Sequence, residues 1–427
     1  MMIEGNFLKS ENKELSSISP KNLDLTNLGL TKEQILLNTL KDIALEYIEL
    51  EKVKEKFCNI ILKNLQDLDF SSLTHYPRFF IKEDCIKKRA SASCVSGLNF
   101  VSVDGSSVTK TFMNVDFSFL KAIAVKYYFY EDGKKAKIEY FPDLNGFNNY
   151  SMKGHFINRE ENLVQSKVSM DMTFMEINLL NKLIKKSTDI DFIIVDGSIV
   201  PTPINLLFSQ DFEVSRMYDN LLKEYQKLYK NCEEKNIILI GSIKDTRTSA
   251  LSHLLRDAIL LLKPSNDYLS DFLRVHYRDL FDYYSDLELY HKLLSKSERS
   301  CIFVCKREID KIRDTGIKKE IPYYFPLTFY AFYLKTAKYD TPCRIEFFTD
   351  ESTDIKKASE KADLISSLIL PISSLNERYG LPIPQIEAHK RAVFNPQEIN
   401  LLFNNLTRIL NKNGVELLEK RRNRRPF

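Results

Sequence analysis

Residues 191–198 read DFIIVDGS, and residues 99–106 read NFVSVDGS. Each is a short, mainly apolar and β-branched run closed by the same Asp-Gly-Ser tripeptide. Runs of this kind suit strands buried on both faces, as in the middle of a sheet covered by helices. Asp104 and Asp196 then stand where two strands end, at the carboxyl edge where sheet proteins gather their sites. The glycine after each aspartate permits a sharp exit and a close approach of a ligand to the backbone. A lone Asp-Gly after a strand is usually a turn, but its repetition on two buried-type strands shifts the balance to a site.

Outward from this pair, the pattern alternates. Residues 122–130 and 136–141 read as strands around the turn Glu131-Asp132-Gly133-Lys134. Residues 160–187 carry Val164, Val168, Met172, Met175, Leu179 and Leu183 at helical spacing. A second amphipathic helix at 212–232 precedes a strand at 237–240, which runs into Gly241-Ser242-Ile243-Lys244. Further strands are expected at 301–305, 325–334 and 344–348, and a helix at 354–378. Pro382-Ile383-Pro384 breaks the chain before a last helical stretch. A strand and a hairpin followed by alternating helices and strands predict an α/β fold of ribonuclease-H-like type. That is a mixed sheet with antiparallel strands on one side, parallel strands on the other, and helices on both faces.

Before this region lies an N-terminal helical extension. Leu36, Leu40, Ile43, Tyr47, Leu50, Phe57 and Ile61 recur close to a heptad seam. The stripe either pairs with a second copy or a partner, or packs as an ordinary amphipathic helix on its own domain. The division expected is a flexible start at 1–30, a helical assembly extension at 31–90, the site-bearing domain at 91–410 and a basic tail at 411–427.

The candidate chemistry centres on carboxylates. Adjacent strands would bring Asp104 and Asp196 within a few ångströms, which is unfavourable unless a cation lies between them. Hard oxygen ligands favour manganese or magnesium. A third carboxylate is expected from the helix before Asp196: Glu176 interrupts an apolar face, and Asp171 is its competitor. Lys244, at the same sheet edge, can neutralise a phosphate or an oxyanion as a point charge, with Arg247 nearby as an alternative. His389, one of six histidines, can ligate a metal or handle a proton.

The whole set resembles the NurA nucleases. The residues that carry the likeness are Asp104-Gly105-Ser106, Glu176, Ile194 through Ser198, Gly241 through Arg247, Pro342 through Phe347, and Pro384 through Ala392. The resemblance implies a manganese-dependent DNA nuclease with 5′-to-3′ exonuclease and single-strand endonuclease activity. It also implies work with the hexameric HerA translocase in DNA end resection and break repair. By the same likeness Asp104, Glu176, Asp196 and His389 are metal ligands, and Lys244 is a supporting lysine. Two ions held there would activate a water and stabilise the leaving 3′ oxygen. Lys244, Arg247, Lys390, Arg391, Arg421 and Arg422 are the expected DNA contacts, and the expected assembly is a homodimer.

Bulk composition narrows the alternatives. The 427 residues are 44% hydrophobic and 28% charged with a net charge of +4, so any nucleic-acid contact must come from local clustering. Seven cysteines without a CxxC pair speak for reduced thiols rather than disulfides or a zinc ribbon. No apolar run suits a signal peptide or a membrane helix, which leads to the expectation of a cytoplasmic protein. An actin-like or sugar-kinase-like ATPase also places Asp-Gly turns at strand ends, but needs glycine-rich phosphate loops. This chain has 12 glycines and no Gly-x-Gly near either aspartate. The remaining alternative is an inactive module that binds nucleic acid or a partner.

Overall fold

The computed structural model describes residues 32–76, 79–130, 135–143, 150–156, 161–200, 212–262, 284–305, 327–350, 352–418 and 420. The expected flexible start, the turn at 131–134 and the tail beyond residue 420 lie outside the described residues. The chain divides into two units, residues 1–59 and 60–427. Helix α1 (Lys32–Lys63) supplies the described part of the first unit. Its seam residues Leu36, Leu40, Ile43 and Tyr47 are all exposed.

In the second unit, eleven described strands form one mixed sheet. Three strands make its parallel centre: β2 (Asn99–Thr111), β6 (Phe192–Asp196) and β7 (Ile238–Ile243). Parallel neighbours need long crossovers, and helices α2 (Glu161–Lys186) and α3 (Phe212–Glu234) lie in the two connections. Beyond β2 the sheet is antiparallel through β3 (Asp116–Tyr128), which pairs with both β4 (Lys137–Phe141) and β5 (Tyr150–His155). Here β4, β3, β2, β6 and β7 have the expected order of hairpin strands and then parallel strands.

The sheet continues past β7, on the side where only parallel strands were expected. It turns antiparallel again through β11 (Cys343–Asp350), β10 (Leu327–Lys335), β8 (Glu298–Ser300) and β1 (Lys87–Arg89), with the two-residue β9 (Phe303–Val304) beside β10. Two short strands thus replace the single one expected at 301–305. Within the segment 31–90, β1 pairs with β8 of the sheet. Helices α4 (Ala250–Leu262) and α5 (Asp286–Leu293) follow β7 in the chain.

Side-chain alternation separates the two faces. Phe100, Ile194, Ile240, Ile345 and Phe347 pack with Ala358, Ala362, Ile365 and Ala388, which lie on α6 (Ile355–Ser373) and α7 (Ile383–Ala392). Phe348, one residue out of phase, instead meets Tyr229 of α3 with ring centroids 5.3 Å apart. Helix α2 lies on the α3 side and buries Val164, Val168, Ile177, Leu180, Leu183 and Ile184. Each of these contributes about 1.5–3 kcal/mol relative to exposure. Helix α8 (Pro396–Lys412) begins with a complete capping box of Asn395 and Glu398.

A buried charge cluster ties α6 to the far strands. The fully buried Arg299 of β8 donates to Glu83 Oε2 and Oε1 at 2.6 and 2.7 Å, and to Asp363 Oδ1 of α6 at 2.6 and 2.8 Å. Burial works against charge on Glu83, but the guanidinium outweighs it and holds the carboxyl below its usual range.

Candidate metal centre

Two strands, two helices and one loop meet at the site. Asp104 is in phase with Phe100 and Ser102 on β2, and Asp196 is in phase with Phe192 and Ile194 on β6. Both carboxylates therefore face α7. The neighbouring strands are in parallel register with Val103 opposite Val195, so the next residue on each is the aspartate. This register brings the repeated tripeptides side by side, as the duplication suggested.

The two tripeptides do different things. After Asp196 the strand ends, and Gly197 takes φ +131°, a conformation that side chains rarely adopt. After Asp104 the strand continues to Thr111, paired along its whole length with β3. Asp104 is therefore mid-strand, and Gly105 makes no turn. What Gly105 provides is space: a Cβ there would overlap Glu176 Oε1 and stand 2.8 Å from Met172 Cγ. The glycine lets the Glu176 carboxyl reach from α2, on the opposite face of the sheet, to the strand that carries Asp104.

Helix α7 holds both aspartates. His389 Nδ1 lies 2.7 Å from Asp104 Oδ2, while Gly105 N donates to Asp104 Oδ1 at 2.8 Å. One helical turn earlier, the buried Gln385 donates through Nε2 to Asp196 Oδ1 at 3.0 Å. From the loop after β7, Lys244 Nζ donates to Asp196 Oδ2 at 2.6 Å. The proline pair expected before the last helical stretch occupies the start of α7, where a missing amide hydrogen costs nothing.

The electrostatics are those of crowded acids. Burial and then the neighbouring charge of Asp196 raise the Asp104 pKa, despite the opposing hydrogen bond from His389. Burial, then Asp104 and then Asp196, push the Glu176 carboxyl well above its ordinary value. Burial disfavours the Lys244 ammonium, but its bond to Asp196 and the charge of that carboxylate prevail and raise its pKa. One ligand atom from each of Asp104, Asp196 and His389 falls within a sphere of contacts no wider than 4.8 Å between any two. Carboxylate oxygens with an imidazole nitrogen form a donor set suited to manganese or magnesium.

Of the other expected residues, Asp171 points elsewhere and pairs with Lys153 of β5 at 2.6 Å. Arg247 and Lys390 are exposed. Arg391 bonds Glu387 at 2.8 Å and covers the Tyr140 ring. Arg421 and Arg422 lie outside the described residues. Sequence reasoning gave no role to Gln385, Ser242 or Glu346. Glu346 is buried beneath the Asp196 turn, accepting from Ser198 Oγ at 2.5 Å and Ile199 N at 3.2 Å and pairing with Arg344 at 2.8 Å. The four-residue step from Gln385 to His389 was the one available signal, since it puts both on one helix face.

A family model described as the NurA domain matches residues 98–394, a span that contains every residue of the centre. Similar solved structures include the NurA nuclease from Sulfolobus solfataricus, at 17% identity over 86% of this chain and 97% of that one, with a TM-score of 0.45. A further NurA crystal structure has 14% identity over 88% and 97% of the two chains, with a TM-score of 0.40. Another, described as NurA bound to dAMP and manganese, has 15% identity over 87% and 96%, with a TM-score of 0.36. No curated protein matches the sequence.

Proposed function

Since the chain belongs to the NurA domain family, we propose that it is a metal-dependent deoxyribonuclease with Asp104, Glu176, Asp196 and His389 as metal ligands. The observation that carries this reading is the meeting of Asp104, Asp196 and His389 within 4.8 Å, with Glu176 buried beside them. Three acids gathered out of water are costly unless a cation shares the space. Three carboxylates and an imidazole offer donors enough for two ions once phosphate oxygens and water complete the shells. When bound, such ions lower the pKa of an attacking water and stabilise the leaving 3′ oxygen.

The protein's own groups position and neutralise. Lys244 remains cationic beside Asp196 and supplies a point charge for a phosphate oxygen. The contact with Asp104 fixes the orientation of the His389 ring. Exposed Arg247 and Lys390 flank these residues in sequence and suit contacts along a phosphate backbone. Family membership supports the finer reading of 5′-to-3′ exonuclease and single-strand endonuclease action at DNA ends, with a HerA-type hexameric ATPase in resection. The exposed apolar residues of α1 suit a homodimer or that partner. All seven cysteines are free thiols, which suits a reducing cytoplasm. Among the described residues no helix is long and apolar enough to cross a membrane.

The test is cleavage of end-labelled single- and double-stranded DNA with manganese, with magnesium and with a chelator. Asp104→Asn and Asp196→Asn should each lower the rate by at least about 100-fold with parent-like circular dichroism. Full activity in both variants, or no cleavage by the parent with either metal, refutes the assignment. ATP turnover without DNA would favour the ATPase alternative.

A further inference from the structure

We propose that Gln385 is a positioning residue of the metal centre, which fixes the rotation of the Asp196 carboxylate. Its side chain is fully buried and every polar atom of it is used. Nε2 donates to Asp196 Oδ1 at 3.0 Å and to the Ser242 carbonyl at 3.3 Å, and Oε1 accepts from Ser242 Oγ at 2.8 Å. An amide held at both ends has one orientation, because flipping it would set Oε1 against two acceptors, the Asp196 carboxylate and the Ser242 carbonyl. Asp196 itself sits at a strand end before a glycine with positive φ, where the backbone alone does not restrain χ2. The amide on Oδ1, together with Lys244 on Oδ2, therefore decides which way its carboxylate plane faces.

Ser242 anchors this arrangement through the sheet. It lies on β7 in register with Asp196 of β6, so the fixed strand pairing is passed to the carboxylate through the amide. His389, one turn along the same helix, holds Asp104. One rigid helix thus sets both aspartates relative to each other, and Gln385 is the neutral half of the clamp. A neutral donor orients Asp196 without cancelling its charge, whereas a second lysine would compete with a cation for it.

This inference rests on the metal-centre reading and is tested apart from it by direct manganese binding. The free-ion electron paramagnetic resonance signal is titrated with the parent, Gln385→Met, Ser242→Ala and Asp196→Asn. Loss of an outer partner of a metal ligand typically weakens binding by roughly 10- to 100-fold. Gln385→Met should fall in that range and Ser242→Ala should weaken binding less. In cleavage assays, Gln385→Met should need correspondingly more manganese for half-maximal rate, with the rate at saturating manganese recovering to near the parent value. A purely structural role would lower the melting temperature and the rate at every manganese concentration alike. Ser242→Ala leaves Gln385 present but removes its hydroxyl anchor, and covers the case in which Gln385→Met fails to fold. The proposal is overturned if the folded Gln385→Met binds manganese like the parent, or if Gln385→Met does not fold and Ser242→Ala binds like the parent. If Asp196→Asn also binds like the parent, the metal-centre reading falls, and this inference falls with it.

Discussion

Gly105→Ala probes the Glu176 side of this site without replacing any of the candidate ligands. The new Cβ would overlap Glu176 Oε1 and stand 2.8 Å from Met172 Cγ and 3.2 Å from Glu176 Cδ. Ordinary carbon–carbon contact is about 3.5–4.0 Å, so these side chains must retreat by about 1 Å. Both are flexible and neither is backbone, and Gly105 has no left-handed φ to lose. Overpacking of this kind should destabilise by about 1–3 kcal/mol. A misplacement of about 1 Å near the chemistry costs about 100-fold in rate, equivalent to about 2.7 kcal/mol of barrier. The assay is single-turnover cleavage at saturating manganese and DNA, with thermal melting as the control. In a Glu176→Gln background the same alanine should cost little more, giving a coupling energy of about the same 2.7 kcal/mol. A parent-like rate in Gly105→Ala, or full additivity with Glu176→Gln, would show that Gly105 does not act through Glu176.

Three further outcomes follow from the same contacts. Glu176 has its folded-state pKa raised above the ordinary 4.5, so the folded protein binds the extra proton, and this contribution to stability fades as pH rises through the raised value. Without metal, the melting temperature of the parent should thus fall relative to Glu176→Gln as pH rises above the ordinary carboxyl value of 4.5; parallel curves would contradict the burial assigned to this acid. Arg299→Met leaves Glu83 buried without its main partner and should destabilise by about 3–5 kcal/mol in urea denaturation, whereas a loss below about 1 kcal/mol would mean that Lys88 and Ser359, its other side-chain partners, suffice. Leu40→Asp with Ile43→Asp alters α1 positions that are 54% and 57% exposed; the pair should lower the solution mass by light scattering or break binding to the ATPase partner, and unchanged mass and partner binding would exclude α1 from assembly.

Much of the site was legible because local chemistry wrote it into the sequence. Apolar β-branched runs ending in Asp-Gly-Ser marked Asp104 and Asp196, since a strand buried on both faces has few polar positions and each stands out. The period of apolar residues placed α2 within a residue of its true ends and put Glu176 on it. Identical tripeptides nevertheless hid different roles, because pairing with β3 keeps β2 extended past Asp104 while β6 stops at Asp196. The choice between Glu176 and Asp171 depended on which side of α2 meets Gly105 and which meets Lys153. Glu346 left no trace in any periodicity and Gln385 only its four-residue step to His389, since a single polar residue on an amphipathic helix or strand reads as an ordinary solvated one. Sequence alone therefore determined which acids were available and which elements carried them. Only the tertiary structure decided which of them meet, because that depends on strand register and on which helix covers each face, relations between segments far apart in the chain that no local pattern encodes.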